Sequence, residues 1–529
     1  MVSKVVQSGG DDVSAIVVDP GFDTLRIGNC QEDYPREYIP SALCRGTLQN
    51  EYLPWVPLRR VSPPSFVEMR QLLQYNRDEN IEVEPFVFER LIRLGIEGSS
   101  REVSSVLEND ELFSTKVGGL GLDVRQHPML VSEPTAECKQ FRDSTLEILF
   151  EQLDVPAAYL AKRASLSAFS VGRQSALVVD IGAGGCIASP VHEGISLQST
   201  IKTSLVGGNA LDVQLCHILY ESGHDFFRPG VSAAHDYHRQ WVAREIRESS
   251  CSLTASDAQQ SYRLPDGDTL QLDEKARDVP RFLFSPESAT VSEFNNFKGL
   301  YGMVTDSVFD TDVDIRRELL SSIVVVGGVS LTPGLVDELN KQLAHGTIGR
   351  ASKFKLVHPS SYSEARYSTW LGGSILASLG RFQQLWISRG EYREHGLDES
   401  GAHSIESMEE TSETEEWHSP AEEDAVVSDN VASSDEEVNV EELVSSIMKG
   451  VSKAFSTVTA KKDRGVGRDS DFRLYLQTIK TEPSDAQPVT KRTSSVSIRA
   501  IPDEASEIEE RRYKKIANNG GRCHNVQIG

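Results

Sequence analysis

Three times along the chain a run of β-branched and aliphatic residues leads straight into glycine. Residues 15–28 read AIVVDPGFDTLRIG, 176–185 read ALVVDIGAGG, and 321–334 read SSIVVVGGVSLTPG. Short apolar runs closed by turn residues predict buried strands. Between them, RDSTLEILFEQLDVP and AYLAKRASLSAFSVG carry apolar positions at helical spacing. The first two glycine turns share V-V-D-x-G at a separation of about 160 residues. A repeat that long is no solenoid unit and suits two similar α/β halves. The expected class is α/β, with two hairpin-led halves and a ligand cleft where they face each other.

Near Gly396 the pattern stops. Residues 397–442 hold 17 Asp and Glu and no Lys or Arg, which predicts a disordered acidic tail over 397–529. Inside it, Val440, Leu443, Val444, Ile447, Met448, Val451 and Phe455 share one face of an expected amphipathic helix, 438–455. Its alternatives are docking on the body or a partner, and a transient helix without a role. The serines of SSDEE, Ser433 and Ser434, precede acids as in an acidophilic phosphorylation site, and Lys480 in TIKTEP has the form of a sumoylation acceptor. AKKDRGVGR and EERRYKK read as weak import signals or as solvated charge.

A net charge of −25 argues against a non-specific nucleic-acid grip and makes basic partners, histones among them, the more natural expectation. Seven scattered cysteines (Cys30, Cys44, Cys138, Cys186, Cys216, Cys251 and Cys523) with no C-x-x-C pair predict reduced thiols, with neither a disulfide framework nor a zinc site. No run of about 18 apolar residues occurs, and the N-terminus carries no signal-like apolar core, so a soluble, unsecreted protein without membrane contact is expected.

The turns carry the candidate chemistry. A D-x-G turn can aim backbone N–H groups at phosphate while its Asp holds a hydrated divalent cation. Asp19 and Asp180 would then face each other across the phosphates, and Gly327–Gly328, before a helix capped near Thr332–Pro333, suits contact with phosphate or nucleoside. The alternative is that both aspartates merely cap turns of a degenerate cleft, where the glycines serve backbone shape alone.

The order of these segments resembles the actin and actin-related protein family. HPMLVSEPTAECKQFRDSTLEILFEQLDVPAAYLAKRASLSAFSVGRQSALVVD is similar to the family's approach to its second phosphate hairpin. YRLPDGDTLQL, DVDIRRELLSSIVVVGGVSLTPG and YSTWLGGSILASLGRFQQLWISRGEYREHG (367–396) follow in family order. Resemblance covers about 15–396 and is weakest over 45–125. PVHEGISLQSTIKTSLVGGNAL with GRQSALVVD is most similar to the nuclear actin-related protein four branch.

The resemblance implies an actin-like ATPase fold: two similar α/β domains around a central nucleotide cleft, followed by the acidic tail. It implies a flexible 1–14, a first half of 15–165 plus 367–396, a second half of 166–366, and a small subdomain at about 34–85. Residue by residue, Asp19 and Asp180 stand at the cation-side aspartates, and Gly21, Gly182 and Gly184 at the phosphate-loop glycines. Arg26 stands for the phosphate-contacting lysine, Phe22 for a serine that contacts the terminal phosphate, Arg247 and Glu248 for a nucleoside-contacting pair, and Arg366 for a lysine beside the base.

The water-handling positions hold Arg163, Ala183 and Ile187 instead of Gln, a carboxylate and His, so no residue is expected to be catalytic and ATP hydrolysis is not expected. Arg163 would then pair with one of the aspartates and replace a cation. His127, His192 and His358 read as ordinary polar residues, and Trp370 and Trp386 as core in preference to interface. ATP with Mg2+, held structurally, is the implied cofactor.

The family also implies a nuclear, non-catalytic scaffold in chromatin-remodelling or histone-acetyltransferase complexes. Actin and a helical segment of a remodelling ATPase or complex scaffold would be its partners, the helix lying near 160–175 and 355–390. The Pro-rich 34–66 segment does not read as a filament-inserting loop. The competing readings are an active ATPase of the same superfamily and a cytoskeletal actin-related protein.

Overall fold

A computed structural model describes residues 14–46, 52–54, 66–98, 103–106, 112–115, 118–230, 233–254, 261–264, 268–359, 361–379, 382 and 385–400. The acidic segment, the helix expected at 438–455, Ser433, Ser434, Lys480 and Cys523 lie outside the described residues, as does part of the 34–66 segment.

In chain order the first half contributes β1 (Ile16–Pro20), β2 (Thr24–Asn29), β3 (Glu37–Pro40), β4 (Ala42–Gly46), β5 (Phe66–Gln71), α1 (Pro85–Glu97), β6 (Met129–Glu133) and β7 (Ala157–Lys162). Then come α2 (Arg163–Ser170), β8 (Ala176–Ile181), β9 (Cys186–His192), β10 (Ile195–Ser196), β11 (Lys202–Ser204), α3 (Gly208–Glu221) and α4 (Ala233–Ser250). The last part holds β12 (Ile323–Val326), β13 (Leu356–Val357), α5 (Tyr362–Arg366), α6 (Ser368–Ala377) and β14 (Ile387–Ser388).

Two sheets with the same plan form the body. One runs β14-β7-β6-β1-β2-β3 and the other β10-β9-β8-β12-β13, with β11 added on β9. In each, an antiparallel hairpin opens the sheet (β1/β2, β8/β9) and two crossovers add parallel strands (β6 and β7, β12 and β13). The apolar runs are continuous because both faces of these strands are covered: IVVD of β1 and IVVV of β12 are buried throughout.

One expectation changes. Residues 158–162, read as the start of a helix, belong to β7, and the helix begins at Arg163. A short apolar run does not separate a buried strand from a helix by periodicity. Here the open slot between β6 and β14 decides. Likewise the turn after Gly327–Gly328 is a short 3-10 segment, Gly328–Leu331, and the following helix is capped by Gly334 with φ +82° instead of at Thr332–Pro333.

Helix α2 belongs to both halves. Ala164 and Ala168 pack on Val178, Val324 and Val326 of the second sheet, whereas Leu166 and Phe169 join Val17, Leu130 and Trp370 over the first. The boundary expected between 165 and 166 therefore falls inside this helix. Helix α6 lies across it so closely that a Cβ on Gly372 would be driven into the backbone carbonyl of Leu166. All ten α6 residues are buried, Ser368, Thr369 and Ser374 among them. Trp370 is core: it is wholly buried and its indole N–H donates to the Val17 carbonyl at 3.1 Å.

The six cysteines within the described residues carry free thiols, five of them buried. No helix among the described residues is long and apolar enough to cross a membrane.

Candidate functional site

The two hairpin turns face each other across a cavity of about 320 Å³. It collects every residue expected to hold nucleotide: Asp19, Gly21, Arg26, Asp180, Gly182, Gly184, Arg247, Glu248, Gly327, Gly328 and Arg366. Arg163, Ala183 and Ile187 line the same space. Corresponding hairpin positions explain part of this convergence: Asp19 pairs across its hairpin with Arg26, and Asp180 with Ile187.

Each turn is self-contained. The Gly21 N–H donates to the Thr24 carbonyl at 3.0 Å, and the Gly182 N–H to the Gly185 carbonyl at 3.0 Å. The Gly327 N–H is likewise committed, to the Ala365 carbonyl at 3.0 Å. These three glycines thus shape the cleft without offering their own amides to it. The amides of Phe22, Ala183 and Gly184, at the turn tips, carry no bond among the described residues and are the backbone donors left for an anion. Gly327, at φ +92°, is required by the fold: a Cβ there would meet the Ile181 carbonyl oxygen at 2.5 Å and press on the Asp180 carboxylate.

The aspartates occupy unlike surroundings. Asp19 is 2% exposed and pairs with Arg26. It also accepts from the Ser132 hydroxyl at 2.6 Å, and Arg163 Nε lies 3.9 Å from its Oδ1. Burial alone would raise its pKa, yet Arg26, Arg163 and these hydrogen bonds hold it below its ordinary value of 3.8. Asp180 has no such set of donors. Burial pushes its carboxyl up, Arg163 opposes the rise, and the Asp19 charge adds to it. The guanidinium of Arg163 also donates to the Pro20 carbonyl, so it stands between the two turns.

This donor set does not suit the implied divalent cation. Both Asp19 oxygens are engaged, one by Arg26 and one by Ser132. Arg163 already places a positive charge beside both carboxylates. No group of three or more His, Cys, Asp or Glu side chains placed to hold a metal occurs among the described residues.

Also lining the cavity, Glu248 of α4 pairs with Arg366 at 3.7 Å. Arg366 is wedged between Tyr38 and Tyr362, its guanidinium 5.6 and 5.5 Å from their rings. Arg247 lines the cavity, but its Nε donates to the buried Asp212 at 2.6 Å. Its guanidinium is therefore spent on holding α4 to α3.

Several groups were invisible in the sequence. Phe22 stood out as a lost hydroxyl replaced by a bulky ring, with no sign of what the ring would touch. In the fold its ring lies flat on Gly184 of the opposite turn, where a Cβ would overlap it, and it stacks on Tyr75 with centroids 4.6 Å apart. Burial pushes the Tyr75 phenol up to about 12, so it stays protonated and donates to the Gly184 carbonyl at 3.2 Å. Asp23 reaches across the cleft to Arg244, which also contacts Asp212 at 3.3 Å and Asn209 at 2.9 Å. Beside this bridge, Tyr237 and Trp241 of α4 pack on Ala42 and Cys44 of β4 and Met69 of its antiparallel neighbour β5. No periodicity or motif announces these pairs, because their members lie far apart in the chain. His127, His192 and His358 sit outside the cavity, each with a ring nitrogen near a backbone carbonyl or a hydroxyl.

The chain matches a family model described as "Actin" over residues 10–400. Similar curated proteins carry the name actin-related protein 4. One from rice (Oryza sativa subsp. indica) is 32% identical over 448 residues, covering 74% of this chain and 98% of its own length. One from Arabidopsis thaliana is 32% identical over 444 residues, covering 73% and 98%. One from Schizosaccharomyces pombe is 29% identical over 452 residues, covering 74% and 96%.

Proposed function

The chain belongs to the actin family, and from that premise we propose that it is a non-catalytic actin-related scaffold subunit of a nuclear chromatin-remodelling or histone-acetyltransferase complex. Its cleft holds nucleotide weakly or structurally and does not hydrolyse it efficiently. One observation carries the non-catalytic part: the three positions that face the two turns present a guanidinium, a methyl and a branched alkyl group, from Arg163, Ala183 and Ile187. None of these can accept the proton of an attacking water or orient it in the required way, and loss of water positioning in phosphoryl transfer costs several orders of magnitude.

The scaffold part rests on family membership and on the relatives' shared name. Actin and a helical segment of an ATPase or complex scaffold are the partners of this reading. A small cavity of about 40 Å³ under α2 and α6, bounded by Tyr159, Leu166, Phe169, Ile195 and Leu376, lies in the region expected to receive such a helix.

The test is made on one purified preparation. Denature the protein, identify released nucleotide by chromatography, and follow phosphate release with added ATP and magnesium. Nucleotide without turnover, or an empty cleft that binds added nucleotide without turnover, is the expected result. Turnover that survives further purification and vanishes in Asp180→Ala refutes the reading and restores an active ATPase.

A further inference from the structure

We propose that Phe22 and Arg163 stand in for the terminal phosphate and its divalent cation, so that the cleft is a magnesium-independent nucleoside diphosphate site. This rests on the nucleotide reading above and specifies its ligand.

The space between the turns carries the size argument. Phe22 projects from the first turn and its ring covers Gly184 of the second. Tyr75 holds the ring from the outer side by stacking at 4.6 Å, and its hydroxyl is anchored on Gly184 itself. The gap between the turn tips is therefore closed by an aromatic ring held on two sides. A phosphoryl group cannot share that volume in a close-packed interior. A phosphate chain in this cavity must therefore stop before the ring.

The charge argument is independent. Arg163 stands between the turns, bonded to the Pro20 carbonyl and 3.9 Å from Asp19 Oδ1, and its charge reaches Asp180 as well. It supplies the positive charge that two carboxylates and a phosphate chain require. The Nε–H groups of Arg26 and Arg163 are buried with no hydrogen-bond acceptor. Both side chains also line the cavity, which places their cationic groups beside a diphosphate bound there. Guanidinium groups also suit planar, bidentate contact with phosphate.

The experiment is isothermal titration calorimetry on the full chain stripped of nucleotide, with ADP and ATP as probes, each in magnesium and in EDTA. We expect ADP to bind with an affinity that changes less than about threefold on chelation, and ATP to bind at least about tenfold more weakly. Phe22→Ser should recover ATP affinity by about tenfold or more while ADP changes little, and Arg163→Gln should make ADP binding magnesium-dependent. Thermal melts of both variants report whether they fold, and the wild-type comparison stands without them. Magnesium-ATP bound as tightly as ADP by the wild type overturns the inference and leaves nucleotide binding intact. Binding of neither nucleotide overturns both.

Discussion

Arg244 joins the two halves of the molecule at the mouth of the cleft, and removing it tests whether that junction holds the cleft shut. Its guanidinium pairs with Asp23 of the first hairpin turn and with Asp212 of α3, and the three side chains are 12%, 13% and 0% exposed. Arg244→Met keeps much of the aliphatic bulk, including contact with the Trp241 ring that lies 5.1 Å from the guanidinium. It leaves Asp23 without this partner, whereas Asp212 keeps Arg247.

Breaking one side of a buried pair costs about 3–5 kcal/mol. The residual exposure and the remaining Arg247 place this case at about 3 kcal/mol. For a folded body of the size of the family-matched residues 10–400, an unfolding entropy of about 2.1 cal/mol/K per residue gives roughly 0.8 kcal/mol/K, so the melting midpoint should fall by about 4 °C. Asp23→Asn alone should cost a similar amount. The double variant should lose about 1–2 kcal/mol less than the sum of the two, because the second change removes a group already stranded. Scanning calorimetry of the four proteins measures this, and release of a fluorescent nucleotide should quicken in all three variants. Additive losses, or single losses under about 0.5 kcal/mol, would refute the claim that this pair bridges the halves.

Three further outcomes follow from the same structure. Asp19 is held below its ordinary 3.8, so its stabilising contribution is complete above that pH and is lost as pH falls through the lowered folded value. Asp180 is raised, so its unfavourable contribution is present at neutral pH and disappears as pH falls through the raised value towards 3.8. Asp19→Asn should therefore melt below wild type at pH 7, and Asp180→Asn at or above it, with both differences shrinking in acid; a stabilised Asp19→Asn would contradict the assignment. Gly372→Ala should cost more than about 3 kcal/mol, since its Cβ meets the Leu166 backbone and not a side chain that can turn away. Soluble yield and melting midpoint report it, and a near-neutral effect would mean that α2 and α6 are not in backbone contact.

Particular residues show how far the sequence could be read. The V-V-D-x-G repeat located both hairpins, because a strand closing on a tight turn is a local demand that residue type alone expresses. The eleven binding residues expected from these turns, from Gly327–Gly328 and from the family resemblance do share one cavity. What each one does there was less accessible: Gly21, Gly182 and Gly327 spend their amides inside their own surroundings, and Arg247 spends its guanidinium on Asp212. Residues 158–162 were read at the wrong period because so short a mainly apolar run fits either element, and only the neighbouring strands choose. The sequence left open which aspartate Arg163 would meet. The fold brings it to Asp19 within ion-pair distance, with Asp180 feeling its charge.

The sequence by itself determined the two-half plan, the position of the turns, and the acidic character of the tail. These are properties of spacing and residue type. Only the tertiary structure decided that Phe22 reaches Gly184 and Tyr75, that Asp23 meets Arg244, and that both oxygens of Asp19 are already engaged. The physical reason is that a cleft is made of surfaces from separate chain segments. Its free volume, its charge pairing and its unsatisfied donors come into being only when those segments are packed against one another.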